Sequence, residues 1–329
     1  MAREAGVSQS TVSRVYYDSG MPVSEETRKL VLETAKRLGY RPSMIARSLN
    51  RQTTSIIALV VRNFSTHFYM EAIRLFSLLF QQRGYAIMLI NVEDEKDGEE
   101  RLLKALEYQV AGLVITSATL TSDLVERCLA YSTPVFLFNR LSEGKRVNSV
   151  CCDNVAGGER VAEYLIERGH RKLVYVSGES SSSTNRDRRA GFFSRAEALG
   201  AGDIFVVDGD FSYRSGWAAA EMLFSSGRSF DGVFCAADPI AMGFMDYVRQ
   251  NTSYSIPRDF SVVGFDGITL PNENDYPLTT YRQPLRRMVE KTIQLMNEKI
   301  ENYTPDPVSY LFNGEIVELG TVLARNGAH

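Results

Sequence analysis

From residue 53 onward the chain runs through one order of elements and then runs through it again, which limits the possible folds more than any other feature. Ile56–Val61 is an apolar, β-branched run. A polar loop follows, then an apolar-periodic helix near Tyr69–Arg83 stopped by Gly84, and a second strand at Ala86–Val92. Gly112–Ile115 and Val135–Phe138 continue the alternation, which calls for parallel sheets covered by helices. Leu173–Val176 then opens as Ile56–Val61 does, Gly232–Cys235 answers Gly112–Ile115, and Ser261–Phe265 answers Pro134–Phe138. The offsets, near 117, 120 and 127 residues, describe a duplicated architecture with drifting loops. Two half-sized α/β lobes would set the C-terminal ends of their strands around a shared cleft, where open α/β sheets bind ligands. One continuous large sheet is the alternative.

Residues 1–52 read differently. They carry nine Lys/Arg against five Asp/Glu, a balance of +4, whereas the other 277 residues carry 28 against 35, or −7. A basic head on an acidic body is how a chain looks when one domain alone touches nucleic acid. Ala2–Ala5 is helical in composition and Gly6 breaks it; Ser8 can cap a second helix from Gln9 to about Tyr16. Val7, Val12 and Val15 would face inward, leaving Gln9, Ser10, Thr11, Ser13 and Arg14 largely on the other side. A third helix starts at Ser24, carries Leu30, Ala35 and Leu38 inward, and stops at Gly39. This is a helix-turn-helix pattern, with a three-helix bundle lacking any DNA role as the alternative. Gln can pair with adenine, Arg can bracket guanine, and hydroxyls can hold phosphates.

Several function classes find no support. The longest apolar run is strand-sized, far below the roughly 20 residues of a membrane span, and the first residues hold no apolar signal core, so a soluble cytosolic protein is expected. Cys128, Cys151, Cys152 and Cys235 contain no C-x-x-C pair, and the chain has three histidines, so reduced buried thiols are expected, with no metal and no cofactor. His67, His170 and His329 have no evident nucleophile to serve. Ser177–Ser183 lacks the G-x-S-x-G elbow, and neither a GxGxxG after the first strand nor a phosphate-binding G-K-[ST] is present. A non-enzyme is expected.

AREAGVSQSTVSRV followed by VSEETRKLVLETAKRLGYRPSMIARSL closely resembles the DNA-binding head of the LacI/GalR family of bacterial transcription regulators. The resemblance continues in RDRRAGF, AADPIAMG, VVGFDG and PLTTYRQP, so it spans nearly the whole chain. It implies an α/β protein with an N-terminal helix-turn-helix head, truncated at its start, and a periplasmic-binding-protein-like body of two parallel-sheet lobes. The implied division is a head over 1–42, a hinge over 43–52 and an effector-binding body over 53–329. Lobe 1 would take about 53–156 and 286–312, and lobe 2 about 157–282 and 313–329. The implied partners are a pseudo-palindromic operator in double-stranded DNA, a small-molecule effector of the sugar or sugar-acid class, and a second copy in a homodimer. No leucine heptad at the C-terminus suggests a tetramer.

Residue by residue, the resemblance puts Gln9, Ser10 and Arg14 where the family reads bases, and Ser8, Thr11 and Ser13 where it holds the DNA backbone. Ala46 and Leu49 match the minor-groove face of the hinge, with Leu49 as a wedge that unstacks and bends the duplex. Phe68, Tyr69, Asp153, Arg188, Phe211 and Asp266 match effector-lining positions, and Gln283 is placed on a crossover strand. Two departures bear on the ligand: Ala237-Asp238 replaces the Asn-Asp of many sugar-responsive relatives, and Arg62-Asn63 replaces a frequent Pro-Asp, which would suit an anionic ligand. Heads of the family also carry a further turn or two before the position of Met1. The reading therefore expects the 1–50 segment to be partly disordered or weakly binding, because a one-turn helix is costly to nucleate. The competing function is a small-molecule binder with a non-functional head.

Overall fold

The computed structural model describes residues 1–16, 22–40, 54–61, 67–92, 95–116, 127–128, 130–141, 147–202, 204–268 and 277–325. The chain divides into two compact units, Met1–Ser55 and Ile56–His329.

In the first unit, α1 (Gln9–Tyr16) and α2 (Glu25–Leu38) pack through Val12, Val15 and Val31, with Ala5 closing the small core. The local chemistry sets the ends. Ser8 caps α1 by accepting from the Thr11 amide at 3.0 Å, and Ser24 caps α2 by accepting from Thr27. Gly39 ends α2 at φ 60°, the left-handed conformation that glycine takes without strain. Two expectations are corrected here. Ala2–Ala5 forms a hydrogen-bonded turn, closed by Ala5 N–H to Met1 at 3.0 Å and Val7 N–H to Ala2 at 3.1 Å, and not a helix. On α2 the buried face is Val31, Thr34 and Ala35, while Leu30 and Leu38 stay 48% and 45% exposed. The partner helix is short and presents two valines, so it covers only a narrow stripe of α2.

The second unit holds two six-stranded sheets. The first is built from β1 (Ile56–Val61), β2 (Ala86–Asn91), β3 (Gly112–Ile115), β4 (Val135–Phe138) and β5 (Asn148–Cys152). The second takes β6 (Leu173–Val176), β7 (Phe205–Val207), β8 (Gly232–Cys235), β9 (Ser261–Asp266) and β10 (Thr280–Arg282). A late return adds β11 (Ser309–Phe312) to the first sheet and β12 (Glu315–Val317) to the second. The orders are β11-β5-β4-β3-β1-β2 and β12-β10-β9-β8-β6-β7, the same series twice. All described pairings are parallel except β10 with β12. The duplication read from spacing is therefore real: β1 answers β6, β3 answers β8 and β4 answers β9.

Helices cover both sheets. α3 (His67–Gln81) and α4 (Glu95–Glu107) belong to the first, and α5 (Asn154–Glu167), α6 (Ser183–Ala198), α7 (Tyr213–Ser225) and α8 (Asp238–Asn251) to the second. α9 (Leu285–Glu301) leaves β10 of the second sheet and returns to pack on α3, β4 and β5. The chain thus crosses between lobes after β5, after β10 and between β11 and β12, and the cleft lies beside these crossovers. Each central strand is buried along nearly its whole length, as a parallel sheet covered on both faces requires.

Candidate functional site

A cleft of about 290 Å³ opens where the loops after several strands converge. Phe68 and Tyr69 reach it from the start of α3, their rings edge to face at 5.3 Å. Asn139 and Arg140 follow β4, Glu179 follows β6, Asp210 and Phe211 follow β7, and Ala237 follows β8. Thr184 and Arg188 come from α6. Three of these residues, Asn139, Phe211 and Asp266, hold positive φ without being glycine, at 58°, 68° and 124°. Such backbone costs on the order of 1–3 kcal/mol per residue and persists where the surroundings dictate it, which is typical of binding sites. The Phe211 ring lies flat against Gly178, where a Cβ would overlap it, so one aromatic wall is set before any ligand arrives.

At the back of the cleft Arg188 is 2% exposed and fully engaged. Its Nε donates to Asn154 at 2.9 Å, Nη1 to the Ala236 carbonyl at 2.5 Å, and Nη2 to Asp266 at 3.3 Å, while its guanidinium stacks 3.7 Å above Phe265. Gln283 donates to the same Asp266 oxygen at 2.7 Å. Burial raises the Asp266 carboxyl above its ordinary value, and Arg188 opposes that. Burial and then the neighbouring Asp266 raise the Asp238 carboxyl too, against hydrogen bonds from Thr280 at 2.6 Å and the Ile268 amide at 2.8 Å. A low-dielectric ion pair held by several donors is rigid, and it makes each added ligand hydrogen bond electrostatically strong. Nearer the mouth, Asp210 is kept below its ordinary value by Ser212, so an ionised acceptor faces the opening. Arg140 spans the lobes, from the Thr116 carbonyl at 3.0 Å to Ser182 at 3.4 Å, and the Leu141 amide meets Ser183 at 3.4 Å.

Of the residues expected at the effector, Phe68, Tyr69, Arg188, Phe211 and Asp266 line the cleft together. Asp153 does not; its carboxylate caps α5 by accepting from the Ala156 amide at 3.0 Å. Gln283 sits one residue beyond β10 and supports Asp266 from behind. Arg62 and Asn63 lie outside the described residues. Asn139, Arg140, Glu179, Thr184, Asp210 and Pro239 were missed. Most could have been found by marking the first few residues after each strand, where a doubly wound sheet gathers its ligand contacts. The cysteines are buried, and burial pushes all four thiols up, away from reactive thiolate.

In the head, Gln9, Ser10 and Ser13 are exposed on α1, with Thr11 and Arg14 half-buried on its flanks. Ser8 serves the helix cap and also meets the Ser10 and Thr11 hydroxyls at 2.7 and 2.8 Å. A short helix thus offers an amide, hydroxyls and a guanidinium from one side, a set suited to base edges and phosphates. Ala46 and Leu49, together with the whole hinge over 43–52, lie outside the described residues.

Comparison with known proteins covers both units. The family described as periplasmic binding proteins and sugar binding domain of LacI family matches residues 53–307, and bacterial regulatory proteins, lacI family, matches residues 1–43. Catabolite control protein A of Priestia megaterium is 31% identical over 311 residues, spanning 93% of each chain. The HTH-type transcriptional repressor PurR of Vibrio cholerae serotype O1 (strain M66-2) is 30% identical over 326 residues, 98% of this chain and 96% of that one. Among solved structures, the lac repressor dimer bound to operator and the anti-inducer ONPF shares the fold with a TM-score of 0.86 at 24% identity, covering 98% of both chains. The transcriptional regulator CelR–cellobiose complex aligns with a TM-score of 0.75 at 27% identity, over 97% of this chain and 98% of that one. With the head, the duplicated body and the cleft accounted for together, the chain belongs to the LacI family of bacterial DNA-binding transcription regulators.

Proposed function

We propose that this regulator is a repressor that binds a pseudo-palindromic operator as a homodimer, under control of a polyhydroxylated effector of the sugar class held between its lobes. The observation that carries the reading is the Arg188–Asp266–Gln283 cluster, buried at the back of a cleft with aromatic walls. Aromatic faces stack on the apolar faces of sugar rings, and carboxylates and an amide take hydroxyl hydrogens. The relatives support the class: one solved neighbour holds cellobiose and another ribose. Arg188 already spends its charge on Asp266, so the cleft offers acceptors more than free cations, which favours a neutral sugar over a sugar acid.

Gln9, Ser10 and Arg14 read bases, Ser8, Thr11 and Ser13 hold the backbone, and Ala46 and Leu49 enter the minor groove. The effector acts by changing how the lobes meet. Coupling of that kind is typically worth about 1–3 kcal/mol and is reciprocal, so operator DNA shifts effector affinity by the same factor. The protein binds and releases its ligand unchanged, with no cofactor and no metal.

Selection of bound sites from random DNA, followed by calorimetry against a panel of neutral sugars and their acids, tests this reading. The expected result is an enriched palindrome and a neutral sugar whose binding is lost in Arg188→Ala. An acid that binds more tightly than its neutral sugar would overturn the ligand class, and failure to enrich any palindrome would overturn the DNA role.

A further inference from the structure

Behind the cleft lies a larger groove of about 920 Å³, between the first two turns of α3 and the β10–α9 connection. Phe68 and Asp266 line both openings, so the two spaces share a wall. Arg74, Arg282, Arg286 and Arg287 line the groove, against the carboxylates of Glu71 and Asp266. Those carboxylates are already committed. Glu71 takes both of its 2.7 Å hydrogen bonds from Arg74, and Asp266 is held by Arg188 and Gln283. Arg286 reaches Glu290 in an exposed pair at 2.9 Å, and Arg282 approaches Glu315 only to 4.0 Å. Exposed pairs of this kind neutralise little. Arg287 lies over the Phe312 ring at 5.3 Å and has no carboxylate partner among the described residues.

The start of α9 adds to this positive field. Its N-cap is Pro284, which gives no side-chain cap, and its first turn holds no acid and two arginines. Leu285 N–H is satisfied by the Gln283 carbonyl at 2.8 Å, whereas the Arg286 and Arg287 amides have no partner among the described residues. Helix starts are electropositive and normally carry acids, so two cations here work against the helix unless an anion joins them. A second observation comes from Gln283, which lines the groove, is 2% exposed, and has an Oε1 without a hydrogen-bond partner. A buried carbonyl left unpaired costs about 1–3 kcal/mol and is relieved by a donor. Cations and open amides beside one orphaned acceptor call for a molecule with both an anionic group and a hydroxyl.

We propose that this groove is a second ligand site, distinct from the interlobe cleft, for a small phosphorylated molecule bearing hydroxyl groups. The phosphate meets Arg286, Arg287 and the open end of α9, and a hydroxyl donates to Gln283 Oε1.

Calorimetry on the full chain in low-salt buffer free of phosphate tests this, with glycerol 3-phosphate, inorganic phosphate and glycerol as probes. Glycerol 3-phosphate is expected to bind once per chain and more tightly than inorganic phosphate, and glycerol not at all. The double variant Arg286→Glu/Arg287→Glu should weaken binding at least tenfold while melting no lower than the parent, because an acidic first turn suits the helix. The milder Arg287→Gln should weaken it less, and Phe211→Ala, in the other cleft, should leave it in place. No binding of glycerol 3-phosphate, equal affinity for inorganic phosphate, or unchanged affinity in the double variant would each overturn the proposal. Loss of the homodimer in that variant with phosphate affinity intact would assign the arginines to a subunit contact instead. Loss in Phe211→Ala alone would return the phosphate to the interlobe cleft.

Discussion

In the second lobe α5 meets α6 at Gly158 and Gly191, and α7 meets α8 at Gly216 and Gly243. A Cβ on any of these four would overlap a backbone carbonyl of the facing helix. In the first lobe α3 and α9 pack by means of large side chains, with Phe76, Phe80, Met288 and Met296 buried on them. Backbone packed on backbone has no rotamers to adjust, whereas phenylalanines and methionines can repack. The stiffer lobe is also the one that carries the chemistry. Gly158 lies against the carbonyl of Arg188, so the residue at the back of the cleft is held by the tightest helix contact in its lobe. From the first lobe come Phe68, Tyr69, Asn139 and Arg140, which cover the ligand space more than they charge it. Precise polar geometry rests on the rigid half and an adaptable cover on the other, a division suited to a cleft whose lobes must change their angle.

The strongest way to break this comparison is Arg188→Ala. It strands a buried Asp266 and leaves Asn154 and the Ala236 carbonyl without their donor, so a loss of about 3–5 kcal/mol in urea denaturation is expected. A loss below about 1 kcal/mol would mean that the cluster is wetter and looser than its geometry. Gly243→Ala comes next, at about 3 kcal/mol, because the Tyr213 carbonyl cannot yield without moving α7. Its counterpart in the other lobe, Phe80→Leu, should cost less than about 1.5 kcal/mol if side chains there repack. Equal costs would erase the difference between the lobes.

Asp153→Ala sharpens the assignment of a residue that was expected at the ligand and found at a helix cap. Losing the cap should cost about 1 kcal/mol of stability and leave effector affinity unchanged, and Asp153→Asn should recover the stability. A drop in affinity with both variants would return Asp153 to the cleft.

The smallest effect concerns His170, fully buried in the second lobe with both ring nitrogens lacking hydrogen-bond partners. Burial lowers its pKa from 6.5, while Asp231, 3.8 Å away, only partly opposes that. A histidine neutral in the folded state and free to protonate when unfolded gives stability that is complete above pH 6.5. That stability is lost as pH falls below 6.5 toward the lowered value. His170→Leu should therefore show a shallower fall in stability between pH 7.5 and 5.5 than the parent, measured by urea denaturation at each pH.

Much of this was legible in one dimension, for reasons of short range. Apolar β-branched runs, glycine stops and capping serines act within a few residues, so the strands, the ends of α2 and the cap of α1 could be read directly. The duplication was legible because spacing survives where side chains drift, and the strand orders repeat as the offsets foretold. Family motifs carried Arg188, Phe211 and Asp266 to the cleft because each lies within a recognisable run of neighbours. The failures were all questions of what lies opposite. Leu30 and Leu38 are apolar at helical spacing, but α1 is too narrow to cover them. Asp153 has the chemistry of a ligand contact and also of a cap, and the position of α5 chose the cap.

By itself, then, the sequence determined the head, the two lobes, the order of their strands and the class of protein, since these follow from local pattern and from repetition. Only the tertiary structure decided which face of α2 is buried, how Arg188 spends its three donors, and that Gln283 serves Asp266 with one atom and leaves another unpaired. Those outcomes depend on residues 30 to 130 positions apart being brought within about 3 Å, and hydrogen bonds fall off too steeply with distance and angle for spacing along the chain to foresee them.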